Sequence, residues 1–174
     1  MSVDEFMKQQ YLTLRSEIRA SKARIFTLLI LATLFIPIAG VVAKEYGAAF
    51  ASASLPLVTL VIMLAFVMEQ NSVIRAGRYL KEHVEPHIPD VTTWESWLES
   101  NRRLRDMDRY FFATFLLIFL VFYVVGTGLA MESLATLWPD EHYYLYASMS
   151  YVVSGLWFVV VIIKHWRACT TTEN

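Results

Sequence analysis

The chain has 174 residues, 56% of them hydrophobic and 18% charged, with a net charge of −1. Soluble domains hold about 45–50% apolar residues, so this composition, with a mean hydropathy of +0.44, excludes an ordinary soluble fold. A single cysteine, Cys169, excludes an internal disulfide and a cysteine metal cluster.

Residues 1–24 are polar and carry both charge signs, unlike the short basic start of a signal peptide. Val41-x-Ala43 loosely resembles a cleavage site, but the first 24 residues have a helical pattern of their own. Met7, Tyr11, Leu14, Ile18, Ser21 and Ile25 recur at four- and three-residue steps, which is one face of a helix. Arg15, Arg19 and Lys22 fall on another face. No Pro or Gly interrupts this stretch, so the helix is expected to run straight into the membrane.

Four apolar stretches follow, at about residues 25–43, 47–68, 110–131 and 143–163, and none contains a charged residue. Each is close to the ~20 residues that a helix needs to cross a ~30 Å hydrocarbon core. Pro37 and Pro56 sit inside the first two, as static kinks or as gating hinges. The start of the second stretch is rich in small residues. Its small-xxx-small pairs, Gly47/Ala51, Ala48/Ser52 and Ala49/Ala53, suit close helix packing. Ser52, Ser54 and Pro56, with Ser150 and Ser154 in the fourth stretch, are candidate pore-lining or packing residues. Gly126-x-Gly128 in the third stretch supports the same two readings. The absence of an ionisable group mid-span argues against proton-coupled transport. Glu69, at the inner end of the second stretch, is the nearest carboxylate.

After the second stretch, Val73, Gly77, Leu80 and Val84 continue at helical spacing beside Arg75 and Arg78, until Glu85-Pro86-His87-Ile88-Pro89-Asp90 breaks the helix. Thr92-x-x-Glu95 fits a capping box that starts a new helix. Trp94, Trp97, Leu98, Asn101 and Leu104 form its mostly apolar face, and Arg102, Arg105 and Arg109 form a basic line. His83-x-x-x-His87, with Glu82 and Glu85, invites a metal reading, but Pro86 interrupts the helical pair and further ligands are missing. No nucleophile motif and no phosphate-binding glycine loop occurs, so neither an enzyme nor a cofactor is expected.

Of the 15 Lys and Arg residues, only Lys44 lies outside the N-terminal stretch, the 70–109 connection and the tail. The positive-inside rule therefore puts both termini and that connection in the cytoplasm. The outer connections are Lys44–Tyr46 and roughly 132–142, the second holding Glu132, Asp140 and Glu141 with no Lys or Arg. Tyr46, Trp138, Tyr143, Tyr144 and Tyr146 cluster at the outer boundary, and Tyr110 and Trp166 at the inner one.

The expected fold is an all-α membrane protein with four transmembrane helices and helical cytoplasmic extensions. It comprises a cytoplasmic amphipathic helix (1–24), transmembrane helices one and two (25–69), a cytoplasmic helical connection (70–109), transmembrane helices three and four (110–163) and a cytoplasmic tail (164–174). Converging arginines suit phosphates. Arg15, Arg19, Lys22, Arg75, Arg78, Arg102, Arg105 and Arg109 are thus candidate ligands for a nucleotide or an oligonucleotide. Positive-inside charge, lipid headgroup contact and internal ion pairs are the plainer account of the same residues.

Three runs carry a resemblance: Tyr11-Leu12-x-Leu14-Arg15-x-Glu17-Ile18, then Gln70-Asn71-x-x-Ile74-Arg75-x-x-Arg78-Tyr79-Leu80-x-Glu82-His83-Val84-Glu85-Pro86, and Trp94-Glu95. They resemble a family of small bacterial membrane proteins. In size, four-span layout and basic cytoplasmic face, the chain also resembles Hailong-type antiviral channel effectors. That resemblance implies a homo-oligomeric ion channel in the bacterial inner membrane, controlled by an oligonucleotide in antiphage defence. A non-conducting scaffold that docks a cytoplasmic partner protein on Trp94, Trp97 and the basic helices is the alternative.

Overall fold

The computed structural model describes residues 3–47, 49–87, 97, 101–137 and 141–170, with backbone alone at 3–4, 102–106, 137, 141–143, 165–166 and 168–170. Among these residues the chain is all-helical, with α1 (Val3–Ile30), α2 (Ile36–Glu45), α3 (Ala49–Tyr79), α4 (Arg102–Leu137) and α5 (Glu141–Thr170). Four helices are long and apolar enough to cross a membrane. The first is α1 and α2 joined without a break through a widened π-helical turn at Leu31–Phe35.

The prolines explain where the helices change winding. Proline has no N–H for the carbonyl four residues back, and its ring presses on that carbonyl. A π-turn widens the helix and relieves the crowding. The turn at Leu31–Phe35 ends two residues before Pro37, and a second, at Leu80–Val84, ends two residues before Pro86. Pro86 then falls in a short 3-10 turn, Glu85–His87, where the helix ends as its sequence predicts. Pro56 is different: it lies inside α3 with ordinary α-helical winding on both sides.

Two connections are placed differently from the hydropathy reading. Gly47 adopts φ +61° in the turn between α2 and α3, and the Tyr46 amide donates to the Val42 carbonyl at 3.0 Å. Left-handed φ at a helix end favours glycine. Gly47 is therefore a turn residue and not part of a small-xxx-small packing pair; no atom lies within 4 Å of where its side chain would begin. The connection read at roughly 132–142 is helical over most of its length, since α4 continues to Leu137 and α5 starts at Glu141. Residues 132–137 contain no helix breaker, and the first one is Pro139. The Thr92/Glu95 capping box, Trp94, Leu98 and Asp140 lie outside the described residues.

The chain divides into two compact units, Met1–Leu28 with Ala65–Thr114, and Leu29–Leu64 with Phe115–Asn174. In the first, the predicted stripe of α1 is the buried one. Met7, Tyr11, Leu14 and Ile18 pack with Val73, Ala76, Leu80 and Val84, and Ser21 and Ile25 are buried on the same face. Gln10 Nε2 donates to the Tyr79 hydroxyl at 2.8 Å, while Arg24 reaches Glu69, so α1 and this part of α3 run antiparallel. Phe66 stacks on Phe112, with ring centroids 5.4 Å apart. In the second unit, Ala130, Leu134 and Tyr151 form a cluster with Ala53, Met131, Tyr144 and Ala147. Phe158 is fully buried and stacks on Tyr123 at 5.6 Å.

Candidate functional sites

The first unit carries an ionic joint between α1 and α3. Arg24 Nε donates to Glu69 Oε1 at 2.7 Å and Nη2 to Oε2 at 3.0 Å, a bidentate fork. Nη2 also donates to the Ser21 hydroxyl at 2.9 Å, and Ser21 is almost fully buried. Both charged residues lie just outside the apolar 25–43 and 47–68 stretches. The hydrogen bond from Arg24 holds the Glu69 carboxyl below the usual carboxylate range, and the same bond raises Arg24. Glu69 was legible as the carboxylate at the end of the second stretch; its partner, Arg24, follows from the antiparallel register.

The candidate anion-binding residues occupy different faces. Arg15, Arg19 and Lys22 share one flank of α1, beside its buried stripe. Arg15 lies over the Tyr11 ring at 5.3 Å, and its Nε donates to the Tyr11 hydroxyl at 3.2 Å. Arg75 and Arg78 are exposed, and at 3.6 residues per turn they project from the side of α3 roughly opposite the Val73/Ala76/Leu80 stripe. Arg102 and Arg105 are in the opening turns of α4, where only the backbone is described, and Arg109 one turn later is half-buried. Trp97 is 41% exposed. His87 Nδ1 lies 3.1 Å from the His83 carbonyl and the His83 ring stacks on Tyr79, so the two imidazoles are engaged separately.

The second unit carries a chain of hydroxyl contacts around Pro56. The Tyr151 hydroxyl of α5 donates to the Ala53 carbonyl of α3 at 2.6 Å. Ala53 follows Ser52, whose carbonyl has lost its helical partner to Pro56. The Tyr123 hydroxyl of α4 in turn donates to the Tyr151 carbonyl at 2.6 Å and lies 2.7 Å from Ser154 Oγ. Two glycines lie against this arrangement, Gly126 at ordinary contact distance and Gly155 more tightly. A Cβ on Gly126 would sit 3.6 Å from the Pro56 nitrogen, and one on Gly155 would sit 3.1 Å from Cε1 of Tyr123. No pattern in the sequence singles out Tyr123 or Tyr151, because each reads as one more aromatic residue in an apolar run.

The chain matches no protein-family model, no curated protein and no solved structure, so its function is read from its own residues.

The candidate pore or packing residues divide by burial. Ser52 and Pro56 are buried, and Ser54 is exposed with its hydroxyl donating to the Ala51 carbonyl at 2.8 Å. Ser150 and Ser154 line a shallow open groove on α5 with Met149, Val153 and Trp157. Their hydroxyls donate to the Ala147 and Ser150 carbonyls at 2.7 and 2.8 Å. Such back-bonding satisfies a hydroxyl within its own helix, so the same side chain tolerates lipid, a neighbouring helix or water.

Proposed function

We propose that this chain is the subunit of a homo-oligomeric channel or pore in a bacterial inner membrane, gated by an anionic cytoplasmic ligand and serving antiphage defence. The observation that carries the reading is the exposed face of α5, where Ser150 lies among apolar side chains with half-buried Ser154 one turn further on. The core of the second unit is filled by Met63, Phe119 and Phe158, all at most 1% exposed, so a water path is sought between copies. Packing of several copies would bring the Ser150/Ser154 faces around a common axis.

The ligand end of the proposal rests on charge. With both termini and the 70–109 connection inside, nearly all basic residues face the cytoplasm. Symmetry would multiply the exposed Arg19, Lys22, Arg75 and Arg78 into a positive ring that attracts a nucleotide or an oligonucleotide. The test is reconstitution of the purified protein into liposomes, with the oligomer counted by mass photometry in nanodiscs. Cation flux from an oligomer supports the reading, and a monomer with silent vesicles rejects it.

Exposed Trp97 favours a second reading, a non-conducting scaffold that docks a cytoplasmic protein there. A stoichiometric partner lost on Trp97→Ala, without ion flux, is its signature.

A further inference from the structure

The geometry points to a latch that holds the proline-containing arm of α3 in place: the Tyr151 hydroxyl on the Ala53 carbonyl, itself steadied by Tyr123. The three prolines that follow helical turns supply the comparison. Pro37 and Pro86 are each preceded by a widened turn that absorbs the proline within its own helix. Pro56 has no such turn. What α3 has there is a hydroxyl from another helix, 98 residues away in sequence and 2.6 Å from the carbonyl it meets.

This difference has a mechanical meaning. The stretch Ala49–Leu55 is joined to the rest of α3 across a missing backbone hydrogen bond, and it is held to other helices by the packing of Ala53 and Leu55 and by the hydrogen bond from Tyr151. Tyr151 is itself fixed by what surrounds it. Tyr123 binds its carbonyl, Ser154 lies beside that bond, and Gly155 lets the Tyr123 ring approach closely, since a Cβ there would sit 3.1 Å from Cε1. On the other side Gly126 packs against Leu55 and Pro56. The arm therefore has a closed position with a full set of partners. Loss of the single Tyr151–Ala53 bond frees it to move about Pro56, carrying Ser52 and Ser54 with it. This deepens the channel reading and rests on it only for the consequence; the latch is a property of one chain.

The experiment uses full-length protein in nanodiscs of phosphatidylethanolamine and phosphatidylglycerol. Spin labels are placed on Ala51→Cys and Val152→Cys, both exposed positions, in a Cys169→Ser background, and the distance between labels is read by dipolar spectroscopy. The expected result is one narrow distance for the parent and a broad or longer distribution for Tyr151→Phe. Tyr146→Phe, the same chemical change on an exposed ring of α5, keeps the parent distribution. Pro56→Ala restores a narrow distribution even when combined with Tyr151→Phe, because the latch acts through the proline. If Tyr151→Phe fails to fold, Tyr123→Phe is read in the same way. Identical distributions for the parent and both tyrosine variants overturn the proposal, as does broadening that persists with Pro56→Ala. A normal latch response in a protein that conducts no ions rejects the channel reading and leaves the latch standing.

Discussion

Arg24 holds both carboxylate oxygens of Glu69 across 45 residues of sequence, with contacts of 2.7 and 3.0 Å. The fork needs the planar guanidinium, and an ammonium cannot reproduce it. The pair ties the start of the first apolar stretch to the end of the second, and Ser21 accepts a further hydrogen bond from the arginine.

Arg24→Lys and Glu69→Gln should therefore each lower thermal stability in detergent, the second with a changed pH profile. Arg24 depresses the Glu69 carboxyl, so its contribution is present above the unfolded-state value of about 4.3 and is lost as pH falls through the lower folded value. Parent melting temperatures should drop in that acid window. The Glu69→Gln variant lacks this component, and a parent profile no steeper than the variant's would contradict the assignment.

Tyr151→Phe deletes one inter-helix hydrogen bond inside the second unit, and Tyr123→Phe removes the hydroxyl that meets both the Tyr151 carbonyl and Ser154. Such bonds in membrane proteins are worth about 0.6 kcal/mol on average and up to about 1.7. Losses in that range are expected from equilibrium unfolding in mixed micelles. Tyr146→Phe, on a side chain 69% exposed, should stay within about 0.5 kcal/mol of the parent.

The glycines of the third and fourth apolar stretches should separate by what each one faces. Gly155→Ala forces its Cβ to 3.1 Å from the Tyr123 ring, which also bonds Tyr151. With Tyr123 held by its hydrogen bonds, the ring must yield by a few tenths of an ångström, and a loss of about 1 kcal/mol or more is expected. Gly128→Ala meets nothing within 4 Å and should not destabilise, since alanine is the better helix former. Equal unfolding midpoints for the two variants would contradict the packing described around Tyr123.

Helix periodicity and hydropathy made most of the fold legible. The α1 stripe from Met7 to Ile25 was readable because 3.6-residue spacing reports a buried face directly. The four spans were readable because length and apolarity alone define them. Gly47 was misplaced because a hydropathy window cannot distinguish a glycine in a tight turn from one at the start of a helix. Pro56 was visible as a hinge candidate, but its partner was not. A hydroxyl that reaches a carbonyl in a distant helix leaves no trace in local spacing, so Tyr151 and Tyr123 needed the tertiary structure.

If the basic helices hold a phosphorylated ligand, charge reversal should weaken binding. Arg15→Glu, Arg75→Glu and Arg102→Glu each remove a candidate charge-assisted hydrogen bond, worth about 1.5–3 kcal/mol, or roughly tenfold or more in affinity. Calorimetric titration with short oligoadenylates, at fixed low salt, is the check. Unchanged affinity in all three variants rejects these residues as the site.

Conduction is the central claim, and planar-bilayer recording of the reconstituted protein under a potassium chloride gradient tests it most directly. Exposed Glu132, on the turns of α4 that precede Leu137, would concentrate cations at the mouth that the proposal places outside. The account predicts discrete, cation-selective currents whose reversal potential moves toward zero in Glu132→Lys. Bilayers that hold the oligomer yet pass no discrete current would contradict it.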